Sequence, residues 1–298
     1  MRTILLISIV LLLQSCLRLD SNMYNNQKIT AYHWDDYQGH VDFNLDTVPA
    51  CNFSFALMHE LTLLSKDTVD NKEYKISAVY IGDYATIQQD TVILYCHGNR
   101  DHMDFYWPRA KLLANVGGKN RFGVMMIDYR GFGLSEGDPS EEGLYEDVTA
   151  ALEWLKAKGV ISNHLVIYGF SLGSAPATKL LAQPRSTLIP SKLILENPFS
   201  SAELMVQDAA QLALPGSFFT NVKVNVTEAI KTVQQPFMLL QSGDDKFLKP
   251  ASHGEVVYKN YQGSYSEKHL VPNADHSSLQ TTWGLFNYIK AVEVFLVK

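Results

Sequence analysis

Residues 169–173 read Gly-Phe-Ser-Leu-Gly and follow the apolar run Leu165-Val166-Ile167-Tyr168. Gly-x-Ser-x-Gly between a strand and a helix sets a serine hydroxyl on a sharp turn at the end of a sheet, where it can act as a nucleophile. The flanking Gly169 and Gly173 keep a crowded backbone free of side chains, and Ala175–Ala182 supplies the following helix. A serine hydroxyl is weakly nucleophilic near neutral pH, so Ser171 needs a base, and the base needs an orienting acid. On a strand–turn–helix elbow of this kind the chain order is serine, acid, histidine. Of the nine histidines only His276 combines that order with a polar loop after a strand, in Leu270-Val271-Pro272-Asn273-Ala274-Asp275-His276. The acid is less sharply defined. Asp244 and Asp245 are adjacent, just after the apolar strand Pro236–Gln241, and Glu196 ends the strand Lys192–Leu195.

A tetrahedral intermediate also needs two preorganised N–H donors for its oxyanion. Leu172, directly after the serine, is the first candidate. The second is Asn99, in the loop His97-Gly98-Asn99-Arg100 that follows the strand Thr91–Tyr95. His97 is expected to hydrogen-bond within this loop rather than perform chemistry. No His/Cys/Asp/Glu set has metal-ligand spacing, and the chemistry requires no cofactor.

The elements that must carry these residues alternate along the chain. Strands are expected near 60–65, 74–81, 91–95, 123–128, 165–168, 192–195, 236–241 and 268–271, and helices near 106–114, 143–158, 174–182, 202–212, 253–258 and 279–295. The central strands are short unbroken apolar runs, as in parallel strands covered on both faces. Leu144, Val148, Ala151, Leu152 and Leu155 share one helical face. The alternation implies an α/β class chain with a mostly parallel, doubly wound sheet and active loops at the strands' C-terminal ends.

The chain has 298 residues, 46% hydrophobic and 19% charged, with a formal charge of −6 and no basic tract. That is enough for one well-buried core and argues against a nucleic-acid partner. Arg2 precedes the apolar run Ile4–Leu13 and then Gln14-Ser15-Cys16. The run is about half of the ~20 residues that span a bilayer and reads as a secretory signal over residues 1–15. Leu13 and Ser15 before Cys16 are similar to a bacterial lipobox, which implies lipidation of Cys16, a membrane anchor and a place in the bacterial cell envelope. Residues 16–28 would then be the lipidated cysteine with a polar tether, and 29–298 the folded domain. Cys96 is expected as a buried thiol, and pairing with Cys51 is left open. The aromatic and acidic stretch Ala31–Tyr37 is expected to pack on the body.

Over about residues 60–298 the chain resembles the alpha/beta-hydrolase superfamily. It is most similar to the abhydrolase-domain serine hydrolases that include acyl-protein thioesterases and lysophospholipid lipases. His97-Gly98-Asn99, Asp128–Gly137, Gly169–Gly173 and Asn273–His276 carry the resemblance. It implies an alpha/beta-hydrolase fold with a short cap over about residues 199–235, and structural roles for Asp128 and Arg130. It also implies an acyl-enzyme mechanism on a small-molecule or lipid-like acyl ester. The family's usual acid lies three residues after the strand-end glycine, where this chain has Lys246; aligning Phe247-Leu248 instead implies a one-residue deletion and selects Asp245. Leu204, Met205, Leu212, Leu214, Phe218 and Phe219 could line an acyl pocket or simply pack. A peptidase on the same fold, and a non-catalytic envelope binding module, are the competing expectations.

Overall fold

A computed structural model describes residues 23–39, 43, 45, 57–118, 120–209 and 220–298. The signal segment, Cys16, Cys51 and the pocket candidates Leu212, Leu214, Phe218 and Phe219 lie outside the described residues.

Eight strands form the main sheet: β2 Met58–Lys66, β3 Glu73–Ile81, β4 Val92–Cys96, β6 Gly123–Ile127, β7 Leu165–Phe170, β8 Lys192–Glu196, β9 Phe237–Ser242 and β10 Ser266–Val271. Their order is β10-β9-β8-β7-β4-β6-β3-β2. From β10 through β6 neighbouring strands pair parallel, while β3 pairs antiparallel with both β6 and β2. The order reverses at β4, which is flanked by β6 on one side and β7 on the other. Such a switch point leaves a crevice at the strands' carboxyl ends, where active loops collect. Cys96 pairs with Gly169, so the loop after β4 and the turn after β7 leave the sheet side by side.

Alternation along the strands feeds two cores. Val92, Leu94 and Cys96 face one of them, where α2 (Glu141–Ala157), α3 (Ser174–Ala182), α5 (Val226–Ile230) and α6 (Gly254–Asn260) pack. Ile93 and Tyr95 face the other, covered by α1 (Met103–Ala114), α7 (Leu279–Trp283) and α8 (Leu285–Val297). Each aliphatic side chain buried in this way contributes about 1.5–3 kcal/mol, so both faces fix where the strands end. The α2 start is set by Ser140, whose Oγ accepts from Gly143 N at 3.0 Å, with Glu141 and Glu142 in the first turn where the helix dipole favours them.

The single helix expected over 279–295 is two, because Gly284 has a φ of +87°, a conformation that an α-helix cannot continue through. The helix expected over 202–212 is described as α4, Ala202–Ala209. The tether expected to reach residue 28 packs from Met23 onward. Asn25–Asn26 (β1) pairs parallel with Arg100–Asp101 (β5), and Lys28 bridges to Gly133. Local polarity suggested a solvated linker, but the backbone groups find partners some 75–105 residues away, which no local pattern reveals.

Arg130 is buried and donates to Asp147, Glu146 and Asp67 at 2.9, 2.8 and 2.7 Å. It ties the loop after β6 to α2 and to the end of β2. The expected packing of Ala31–Tyr37 is present: Tyr32 stacks on Trp34 at 4.7 Å, Trp34 meets Trp107 at 4.8 Å, and the His33 and Trp34 amides donate to the Asp104 carboxylate.

Candidate active site

Ser171 follows β7 directly and has a φ of +49°. For a residue with a Cβ that conformation costs about 1–2 kcal/mol, and the surrounding packing leaves no alternative. A Cβ on Gly173 would lie 2.0 Å from the Cys96 carbonyl oxygen, and one on Gly169 would lie 2.5 Å from the Gly173 oxygen. Both obstructions are backbone. The start of α3 therefore sits against the end of β4, and the serine is pushed to the crevice.

His276 comes to the serine from the loop after β10. Its Nε2 is 3.0 Å from Ser171 Oγ and its Nδ1 is 2.6 Å from Asp245 Oδ2. A carboxylate only accepts, so Nδ1 carries the proton and the Nε2 lone pair faces the hydroxyl. Phe170 and Phe247 contact the imidazole at 5.3 and 5.2 Å between ring centres.

Asp245 is held by its loop. Its Oδ1 accepts from the Phe247 and Leu248 amides at 2.9 and 2.8 Å, and its carboxylate is fully buried. The loop is in turn tied to the histidine loop by Gly243 N to Val271 O and Asp244 N to Ala274 O.

The other two acid candidates are placed elsewhere. Asp244 points to solvent and pairs with Lys246, because adjacent side chains on this turn diverge. Glu196 lies opposite Phe170 in the β7–β8 pair, buried on the α1/α8 face. It accepts from the Tyr168 hydroxyl at 2.5 Å and from Gln280 Nε2 at 2.8 Å, and faces Arg109 at 3.9 Å. Burial first, and then the Glu196 charge, push the Tyr168 hydroxyl well above the ordinary phenol range. Burial works against the charge on Arg109, but Glu196 and nearby tyrosines outweigh it and raise its pKa.

Two residues that sequence reasoning missed hold the histidine loop. Asn197, at φ +45°, donates through Nδ2 to His276 O at 2.9 Å and accepts at Oδ1 from Ser242 N at 2.7 Å. Arg109 donates to Ser277 O at 2.8 Å and lies over the Phe170 ring. The strand-end Asn197-Pro198 pair was a usable turn signal for the first. Nothing local marks Arg109, which reaches across 168 residues of sequence.

In the loop after β4, His97 is fully buried, and its Nδ1 meets the Gly98 carbonyl at 2.7 Å, so that nitrogen is the donor. Its Nε2 faces Asp128 Oδ1 at 3.2 Å. The peptide bond is trans, so the Asn99 N–H points opposite to the Gly98 carbonyl that His97 holds. No loop or turn hydrogen bond among the described residues uses the amide of Asn99 or of Leu172. Of the pocket candidates, Met205 packs against the core and Leu204 is half-buried. Cys96 is a buried free thiol, its pKa pushed far up by burial.

The sheet order, switch point and strained strand–helix elbow are those of an alpha/beta hydrolase. The family model described as "Serine aminopeptidase, S33" matches residues 87–232. Protein bem46 of Schizosaccharomyces pombe is 29% identical over 276 residues, 90% of this chain and 85% of its own. The lysophosphatidylserine lipase ABHD12 of Macaca fascicularis is 32% identical over 194 residues, 58% of this chain and 46% of its own. The match thus spans about half the length of that relative. The esterase Pf2001 of Pyrococcus furiosus superposes with a TM-score of 0.66 at 16% identity, covering 92% of this chain and 98% of its own. The chain has the alpha/beta-hydrolase fold and is similar in sequence to these alpha/beta hydrolases.

Proposed function

We propose that this chain is a serine hydrolase that cleaves carboxylic ester or thioester bonds through an acyl-enzyme. The observation that carries this reading is the unbroken contact from Asp245 through His276 to a strained Ser171, with the Nε2 lone pair on the hydroxyl. In the proposed sequence His276 takes the Ser171 proton as Oγ attacks the acyl carbon. Asp245 holds the tautomer and stabilises the imidazolium. The Leu172 and Asn99 amides receive the oxyanion, each worth about 10²–10³ in rate. The imidazolium then protonates the leaving alcohol or thiol. His276 next deprotonates water, which attacks the acyl carbon, and the acid is released as Ser171 regains its proton.

The relatives support a lipid-like acyl ester as substrate, since one is named a lysophosphatidylserine lipase. A lipid on Cys16 would agree. Met23 sits beside Asn99, with its carbonyl 2.6 Å from that side chain, and the seven residues from Cys16 span at most about 25 Å. An anchor there would keep the site close to an envelope membrane. The peptidase reading has one specific support, the aminopeptidase description of the matching family model. p-Nitrophenyl esters assayed beside aminoacyl amides separate the two.

Fluorophosphonate labelling followed by mass spectrometry tests the core claim. A single adduct on Ser171, absent in Ser171→Ala together with all turnover, is expected. Undiminished turnover in folded Ser171→Ala would falsify it.

A further inference from the structure

The segment from Met23 to Trp34 grips the loop that carries the proposed second oxyanion donor, and it does so at two places. The Asn99 side chain forms a reciprocal pair with this strap: Nδ2 donates to Met23 O at 2.6 Å, and Oδ1 accepts from Asn25 N at 3.0 Å. The β1–β5 pairing and the Gln27 N to Asp101 O bond continue the grip over the next two residues of the loop. The second hold is indirect. The Tyr32 hydroxyl donates to Asp128 Oδ2 at 2.6 Å, and the other oxygen of that carboxylate faces His97, whose ring fixes the Gly98 carbonyl.

Both grips act on one peptide plane. The Gly98 carbonyl and the Asn99 N–H are its two ends and point in opposite directions. His97 sets the carbonyl end, and the strap sets the Asn99 side chain on the far side of the same unit. Gly98 is also closely packed, with a hypothetical Cβ 3.0 Å from Phe170 and from the Tyr106 hydroxyl. The Tyr106 hydroxyl in turn accepts from Arg100 N at 2.9 Å, which fixes the residue after Asn99. The loop is therefore held from the sheet side by the body of the fold, and from the outside by the strap.

We propose that the strap, residues 23–34, is a positioning element of the active site: it aims the Asn99 amide at the developing oxyanion. This rests on the serine-hydrolase reading above. Donor placement matters steeply, since a displacement of about 1 Å in a catalytic constellation is worth about 10²-fold in rate. A donor used mainly in the tetrahedral state affects kcat rather than KM. The strap thus makes the chain just after the proposed anchor a part of the turnover machinery.

Asn25→Pro tests this in the full chain, because proline deletes the one N–H that the strap donates to Asn99 Oδ1. Asn99→Ala removes both bonds from the other side, and Tyr32→Phe removes only the hydroxyl that holds Asp128. Each variant is measured for kcat, KM and Tm on a p-nitrophenyl ester. The phosphonylated Ser171 adduct is then examined by phosphorus NMR, whose shift reports hydrogen bonds to the phosphoryl oxygen. The expected result is a kcat lowered about 10- to 100-fold in Asn25→Pro and in Asn99→Ala, with KM within about two-fold and a displaced phosphorus resonance. Should Asn25→Pro fail to fold, Asn99→Ala carries the test. Folded variants with wild-type kcat and an unmoved resonance overturn the strap proposal while leaving the hydrolase reading intact. A wild-type serine that takes no label removes the hydrolase reading, and this proposal with it.

Discussion

Asp245→Asn separates the electrostatic role of the carboxylate from its role in the loop. Asp245 Oδ1 accepts two backbone amides, from Phe247 and Leu248, while Oδ2 faces His276 Nδ1. An asparagine keeps those two amides satisfied only if its oxygen takes the Oδ1 position. Its NH2 then faces Nδ1, which must give up its proton and accept. The remaining imidazole proton moves to Nε2 and points at Ser171 Oγ, so the ring can no longer act as a base. Flipping the amide restores the tautomer but leaves the buried Leu248 amide and the part-buried Phe247 amide without acceptors, at about 1–3 kcal/mol each. The flipped, active form is therefore disfavoured by about 2–6 kcal/mol, and it also lacks the charge that stabilises imidazolium. At 1.36 kcal/mol per factor of ten, the penalty alone lowers the rate by about 30-fold to more than 10⁴-fold. With the missing charge we expect kcat/KM to fall by about 10³–10⁴, in line with the loss that the wrong tautomer produces in serine-protease triads. The assay is steady-state hydrolysis of a p-nitrophenyl ester beside Asp244→Asn, whose exposed carboxylate meets Lys246 rather than His276 and should leave the rate within about two-fold. A loss of less than ten-fold in folded Asp245→Asn would refute the reasoning, because another group would then be orienting the histidine.

Two further outcomes follow from other contacts. Gly173→Ala should lower kcat by about 10² and also lower Tm, because its Cβ meets the Cys96 carbonyl at 2.0 Å and the backbone must move; kinetics and a thermal melt at wild-type level would show that the elbow is not so constrained. His253 accepts from Ser200 N at Nδ1 and faces Asp208 with Nε2. Burial is the largest influence on its pKa and lowers it below the usual histidine value, against the opposing pull of Asp208 and Asp245. The unfolded chain therefore binds this proton more readily than the folded one. The stability it contributes is complete above the unfolded pKa, about 6.5, and is lost as pH falls from there toward the folded value. Melts at pH 5 and 7.5 should show a smaller difference in His253→Gln than in wild type, and an equal difference would place the pH dependence elsewhere.

The spacing Gly-x-Ser-x-Gly, the apolar runs and the serine–acid–histidine order are local or one-dimensional properties. They were enough to name Ser171 and His276 as candidates and to place the main strands on a parallel α/β sheet. The small residues at 169 and 173 announce a crowded turn, although only the fold shows that the crowding comes from the end of β4. Residue types and spacing left Asp244, Asp245 and Glu196 open; only the family resemblance selected Asp245, and it is the fold that brings that carboxylate to His276. Adjacent carboxylates on one turn point apart, and Glu196 is drawn to Tyr168, Gln280 and Arg109 from three separate elements. The break at Gly284 and the helix at 226–230 escaped for a smaller reason, since short helices carry too few turns to show a period. The strap escaped for a larger one. Its polar residues read as tether, and its partners at Asn99, Asp101 and Gly133 lie 74 or more residues away. Hydrogen bonds between segments so far apart leave no mark on composition or periodicity, so only the tertiary structure decides that residues 23–29 close over the loop beside Ser171.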